Sequence, residues 1–219
     1  PPRSTLFPYT TLFRSLYPKT RKKTVSPVDY RLKILVSAIK VFSQKGFAKT
    51  TMSDVANRAK VGVGTLYNYF QNKDDLLLQC MKKTINDEIE LIRIASEKIT
   101  DPFEKLRYFL HEHRLLVENK PYIARFLIIE LRQSEGFYKR NPSYNPMQYY
   151  LNYISGIFSE GVAQGKIRDV DPDIAALGIL GTVDLLLTQW LISGREFDLE
   201  GAWNKFRDII AHGMSKNKA

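Results

Sequence analysis

The sequence predicts an all-α fold of about nine helices, a three-helix N-terminal unit followed by a larger helical body. Three observations predict it. Apolar residues recur at three- and four-residue intervals through nearly every segment, which marks one face of a helix. Most segments open on Ser, Thr, Asp or Asn followed by proline or an acid, the residues that satisfy the free N–H groups of a helix start. No stretch of useful length alternates apolar and polar residues as a half-buried strand does.

Each element follows in order. Ser26-Pro27-Val28-Asp29 caps a first helix that carries Leu35, Ala38, Ile39 and Phe42 on one face and closes at Gly46. Thr51-Met52-Ser53-Asp54 caps a short second helix ending near Ala59. A tight connection through Val61-Gly62 leads to a third, Val63 to Phe70. Asn72-Lys73-Asp74-Asp75 opens a long fourth helix through Leu76, Cys80, Ile85, Ile89 and Ile92. Asp101-Pro102-Phe103-Glu104 starts the next, to about Glu118, and Pro121 starts another, through Phe126 and Ile129 to Arg132. Gly136, Pro142 and Pro146 mark a looser stretch. An aromatic helix from about Met147 to Gly165 follows, then an apolar helix opened by Asp171-Pro172, and a last one from Asp198 to about Met214.

The charge is divided as sharply as the helices. Residues 1–75 hold 14 Lys/Arg against 4 Asp/Glu, whereas residues 76–219 hold 19 against 19, so the formal excess of +10 lies in the first third. A basic unit facing nucleic acid, joined to a neutral body, is the arrangement this implies. The single cysteine, Cys80, excludes an intramolecular disulfide and any multi-cysteine zinc site, and no metal is expected; a reducing, cytoplasmic setting fits. Residues 1–25 carry four prolines, no helical period and a basic run at 19–23. They read as disordered or non-native, their STLFPYTTLFRS stretch resembling a translated sequencing adapter; a basic arm along DNA is the alternative for Arg21, Lys22 and Lys23. Ile174 to Ile192 is long enough to span a bilayer at about 20 residues. Asp184 in its middle argues instead for a helix buried in protein or at a subunit interface, and no membrane partner is expected.

Three short helices with a tight turn between the second and third form a helix-turn-helix with its support. At this point the sequence TTMSDVANRAKVGVGTLYNYFQNKDDLL resembles the DNA-binding domain of the TetR family of bacterial transcription regulators. Gly46-Phe47, Thr51, Val55-Ala56, Val61, Gly64-Thr65-Leu66-Tyr67, Tyr69-Phe70 and Lys73 carry the likeness, which covers about residues 30–80. The resemblance implies a DNA-binding domain over residues 26–73 and an effector-binding and dimerisation domain over 74–219. Small residues at the start of the recognition helix, Gly62, Val63 and Gly64, allow close approach to a major groove, and Thr65 and Asn68 can hydrogen-bond bases or phosphates. By resemblance, Thr65 and Tyr67 touch DNA and Thr51 and Lys73 clamp its backbone. Ser53, Arg58, Lys60 and Tyr69 complete the candidate face, with a cap, core or solvated role open for each. Lys60 departs from the family, which has a glycine at this turn. A positive φ there costs a lysine about 1 kcal/mol.

The resemblance also implies a homodimer, built by the last two helices. Ala175, Gly178, Gly181, Leu185, Trp190, Trp203, Phe206 and Ile210 are the candidate contacts, each with a core role as the alternative. The middle helices would enclose a hydrophobic effector. Phe103, Leu106, Phe109, Leu110, His113, Phe126, Ile129, Tyr149, Tyr150, Tyr153 and Ile157 are the pocket candidates, again against plain core. FLIIELRQS from Phe126, IFSEGVAQGKIR from Ile157, Gly181-Thr182-Val183-Asp184 and Trp190 look like the C-terminal domain of the fatty-acid-responsive subgroup. That likeness implies a repressor of fatty-acid degradation genes released by long-chain acyl-CoA or a fatty acid, with Arg107, Arg114, Arg125 and Arg132 as candidates for the phosphate end. The other reading is a TetR-type repressor of an efflux or catabolic operon, induced by an aromatic or drug-like ligand.

Enzyme chemistry has little to stand on. Gly62-Val63-Gly64 lacks the preceding strand and third glycine of a dinucleotide loop. His111 and His113 are two apart and point to different helix faces. Neither catalytic residues nor a cofactor are expected.

Overall fold

The structure, a computed structural model, describes residues 27–130, 135–145 and 147–214. The N-terminal segment, Ser26, Arg132 and Pro146 therefore lie outside the described residues. Among those described there are ten α-helices and no strand. Three form an N-terminal head: α1 (Pro27–Lys45), α2 (Met52–Ala59) and α3 (Val63–Tyr67). The long α4 (Lys73–Ala95) leads from the head into the body, where α5 (Pro102–Asn119) follows it. The short α6 (Pro121–Ala124) runs directly into a π-helical segment, Arg125–Glu130. Then come α7 (Glu135–Arg140), α8 (Gln148–Ala163), α9 (Pro172–Ile192) and α10 (Leu199–Met214). Three expectations are corrected. The third helix stops at Tyr67 rather than Phe70, the Pro121 helix is π-wound beyond Ala124, and the looser stretch contains α7.

The caps explain why the helices start where they do. The Thr51 hydroxyl accepts from the Asp54 N–H at 3.2 Å while Asp54 accepts from the Thr51 N–H at 2.9 Å, a reciprocal capping box. Asn72 accepts from the Asp75 N–H, Asp101 from those of Phe103 and Glu104, and Asp171 from those of Asp173 and Ile174. Each such cap is worth about 1 kcal/mol. Gly46, at φ 80°, ends α1 in the left-handed region that its missing Cβ permits.

The head closes around Phe42, Val55, Ala56, Leu66, Phe70 and Leu76, all nearly inaccessible to solvent. In the body, α8 packs on α4, α5 and, most extensively, α9. Side-chain pairs set the register. Tyr150 and His113 meet Glu88, Tyr153 meets Ser96, Lys105 meets Glu160 and Lys166 meets Asp101. Helix α8 thus runs antiparallel to α5 and alongside α4. Head and body also touch away from α4. The Phe126 ring of the π segment stacks on Phe42 of α1 at 6.2 Å, Phe137 of α7 meets Phe47 at 6.4 Å, and Lys40 lies over the Tyr122 ring at 5.5 Å. A two-pronged ion pair joins Arg140 of α7 to Asp74 at the start of α4.

Candidate functional site

The turn between α2 and α3 is built on Lys60. Its backbone is left-handed, φ 53° and ψ 50°, as the missing glycine leads one to expect. Its N–H bonds the Asn57 carbonyl at 3.1 Å, and the Val61 N–H bonds that of Ala56 at 3.0 Å, so the freed carbonyls of α2 are satisfied by a Schellman-type closure. Val61 to Gly62 then reverses the chain into α3. Leu66 and Phe70 anchor that helix in the head core, which turns its other face outward. Gly62, Val63, Gly64, Tyr67 and Asn68 are exposed there, Tyr67 by 52%, with Thr65 and Tyr69 half-buried at the edge. A Cβ on Gly64 would meet no atom of this subunit, and one on Gly62 only an ordinary contact at 3.6 Å. The small size of both is therefore not required by the fold; a body approaching from outside is what it suits.

Around this face, Thr51, Ser53, Arg58 and Lys60 are exposed. Thr51 is also the α2 cap, and Arg58 reaches Gln44 at 3.4 Å. Lys45 pairs with Asp54, and together with the Thr51 N–H and hydroxyl it holds the Asp54 carboxyl at about 2. Lys73 is used differently. Its ammonium donates to the carbonyls of Phe47 at 2.9 Å, Ala48 at 3.2 Å and Thr50 at 2.9 Å, and lies 4.5 Å from the centre of the Phe47 ring. Those three bonds take all three ammonium protons. Lys73 staples the α1–α2 loop to the start of α4, and burial pushes its amine below the usual lysine range.

In the body, four of the pocket candidates come together. Phe109 packs on His113 at 5.8 Å, Tyr150 at 6.3 Å and Tyr153 at 5.7 Å, and His113 meets Tyr150 at 5.6 Å. Leu106, Leu110 and Ile157 are buried, and Phe103 is half-buried. Phe126 belongs instead to the head–body joint, Tyr149 is exposed, and the side chain of Ile129 lies outside the described residues. The sequence reading missed the polar groups among these rings. Glu88 of α4 receives the Tyr150 hydroxyl and is bonded to His113 Nδ1, fully buried. Glu112 of α5 is inaccessible and neither carboxyl oxygen has a partner, so burial pushes it up to about 6. Their signal was present: each acid falls at helical spacing from apolar positions, Glu88 between Ile85 and Ile92, Glu112 between Phe109 and Leu116. Among the candidates for a phosphate end, Arg107 pairs with Glu104 and Arg114 with Glu118 and Glu200, while Arg125 is exposed.

The last two helices leave an apolar stripe uncovered. On α9 it runs through Ile174, Leu177, Gly178, Gly181, Leu185 and Ile192, and Ile209 of α10 joins it at 68% exposure. A Cβ on Gly178 or Gly181 would meet nothing. Ala175, Trp190, Trp203 and Ile210 are instead covered by their own subunit, with Phe206 half-buried. Helix α9 is the one described helix long and apolar enough to cross a membrane. Among the described residues no group of three potential metal ligands occurs.

The family models divide the chain much as the fold does. Residues 34–80 match the model of bacterial regulatory proteins of the tetR family, and residues 81–213 match that of the YsiA-like protein C-terminal region. The chain belongs to the TetR family. Among this family's members, the fatty acid metabolism regulator protein of Bacillus subtilis is 29% identical over 84% of this chain and 94% of its own length. Two solved structures agree. The transcriptional regulator FadR from Bacillus subtilis, in complex with stearoyl-CoA, superposes with a TM-score of 0.77 at 28% identity, covering 83% of this chain and 98% of that one. The fatty acid degradation regulator FadR from Bacillus halodurans gives 0.77 at 26% identity, covering 88% and 98%. As a TetR-family chain, this protein is a DNA-binding regulator rather than an enzyme.

Proposed function

We propose that this TetR-family protein is a dimeric, cytoplasmic repressor of fatty-acid metabolism genes that leaves its operator on binding long-chain acyl-CoA. The observation that carries the reading is the joint likeness of head and body to regulators of that kind, one of them solved with stearoyl-CoA. The outward face of α3 supports it from the geometry. Gly62, Val63, Gly64, Thr65, Tyr67 and Asn68 would enter a major groove, with Thr51, Ser53, Arg58, Lys60 and Tyr69 along the flanking phosphates. Lys73 supports that surface from behind.

The α9–α10 stripe supports a two-fold dimer, since monomers seldom leave such a run of large apolar side chains exposed. Gly178, Gly181 and Leu185 would lie at its centre, with Trp190, Trp203, Phe206, Ala175 and Ile210 as the layer beneath. Two heads so joined would present their α3 helices one DNA turn apart, about 34–36 Å.

The effector would enter between α4, α5 and α8, where Phe109, His113, Tyr150 and Tyr153 meet. Such a ligand weakens operator binding only if it prefers the dimer whose heads are wrongly spaced, commonly by about 1–3 kcal/mol. Two connections can carry that preference to the head: α4, which is continuous from Lys73 to the buried Glu88, and the π segment with α7, which packs on α1. The test is a titration of the protein with palmitoyl- or oleoyl-CoA while it is bound to its own upstream DNA. Release at micromolar effector is the expected result.

A further inference from the structure

We propose that Glu112 recognises the polar end of the acyl effector: its protonated carboxyl donates a hydrogen bond to an acyl carbonyl or carboxylate oxygen, so that effector binding takes up one proton. The inference rests on the functional reading above and names the residue that serves it. Three observations carry it. Glu112 is inaccessible to solvent, and both of its oxygens lack a partner. The other acid buried among the described residues, Glu88, is taken up by His113 and Tyr150, so the two carboxyls are not alike. The cations of α5 are turned to other acids, Lys105 to Glu160, Arg107 to Glu104, and Arg114 to Glu118 and Glu200.

An ionised carboxylate held in such a place without a cation is costly, whereas the neutral acid is tolerated provided its O–H finds an acceptor. Burial moves Glu112 in that direction, to about 6. Burial is the cause of that shift and no cation contributes to it; the group that feels its charge is Tyr108, on the same helix. Phe109 and Leu116, one turn to either side of it on α5, are buried and give it an apolar setting. A neutral donor set in apolar wall is the complement of an acyl chain that ends in an oxygen acceptor. The proton comes from solvent, and no bond of the effector is made or broken.

The sign of the pH dependence follows. Above the carboxyl's own titration, near 6, the free protein must be protonated before it binds. Wild-type affinity therefore falls about tenfold per pH unit, one unit being a tenfold change in the protonated fraction. The amide of Glu112→Gln is a permanent neutral donor and escapes this.

The experiment is binding of oleoyl-CoA and of oleate to the intact protein between pH 5.5 and 8.5, for wild type, Glu112→Gln and Glu112→Leu, with melting curves to show that each is folded. Dividing wild-type by Glu112→Gln affinities removes the titration of the effector itself. The expected result is similar affinity at pH 5.5 and, at pH 8, Glu112→Gln binding the tighter of the two by up to about 100-fold, two units above the titration. Glu112→Leu should bind about tenfold or more weakly at pH 5.5, having no donor. An effect with oleoyl-CoA assigns the thioester carbonyl, and one confined to oleate the free carboxylate. Equal affinities for all three proteins at every pH would overturn the proposal, as would wild-type binding that strengthens with pH relative to Glu112→Gln, the mark of a cationic ligand. Wild type indifferent to both effectors would overturn the functional reading itself.

Discussion

Two lysines at the head carry opposite lessons about what a side chain is for. Lys60 occupies a left-handed position, φ 53°, that its Cβ resists. Lys60→Gly is expected to raise unfolding free energy by about 1 kcal/mol in urea denaturation while weakening operator binding. Lys73 has the reverse profile, with its three protons fixed on the carbonyls of Phe47, Ala48 and Thr50. Lys73→Ala should lower the melting temperature yet leave the dependence of operator affinity on salt nearly unchanged. Losing a real phosphate contact lowers that slope by about one unit. The position of Lys60 was legible because a turn residue has a local signature. The use of Lys73 was not, because its carbonyl partners lie 23 to 26 residues earlier in the chain and expose no side-chain pattern.

Among the elements, those with caps and several apolar turns were readable from sequence. Thr51, Asn72, Asp101 and Asp171 each mark a helix start in both the chain and the structure. The six-residue α7 and the π-helical Arg125–Glu130 were not readable, since so short a run shows little periodicity and its winding is decided by tertiary packing. Yet these two elements touch the head through Phe126 and Phe137, and Arg140 ties α7 to the start of α4. The Arg140–Asp74 pair lies at the surface, where ion pairs add little to stability. Arg140→Ala should accordingly fold as well as wild type and bind operator within about twofold, but lose severalfold of the effector's leverage on that affinity. Anisotropy with and without oleoyl-CoA would show it. Undiminished leverage would leave α4 and the ring contacts of Phe126 and Phe137 to carry it. The buried acids escaped the sequence reading for a related reason: Glu88 meets residues 25 and 62 positions away, and beside Asp87 and Glu90 it reads as one more charge of a solvated face.

The molecule as a whole is divided between a basic head and a neutral body, a division already written in 14 Lys/Arg against 4 Asp/Glu over the first 75 residues. Its exposed apolar surface is the α9–α10 stripe, and helix α9 stood out in the sequence because it is apolar nearly all round. Which residues face outward was not legible, for the same reason: a helix with apolar residues on every face gives no phase to read. Leu185, 58% exposed at mid-stripe, is the place to test the dimer. Leu185→Glu should convert a species near 50 kDa, twice the chain's 25.3 kDa, to the monomer mass in sedimentation and abolish operator binding without unfolding the head. The central claim, a hydrophobic effector deciding whether the paired heads hold DNA, is tested most directly by fluorescence anisotropy on upstream intergenic DNA at fixed salt, with and without oleoyl-CoA. The account predicts specific binding that micromolar oleoyl-CoA abolishes. Specific binding unmoved by saturating oleoyl-CoA would contradict it.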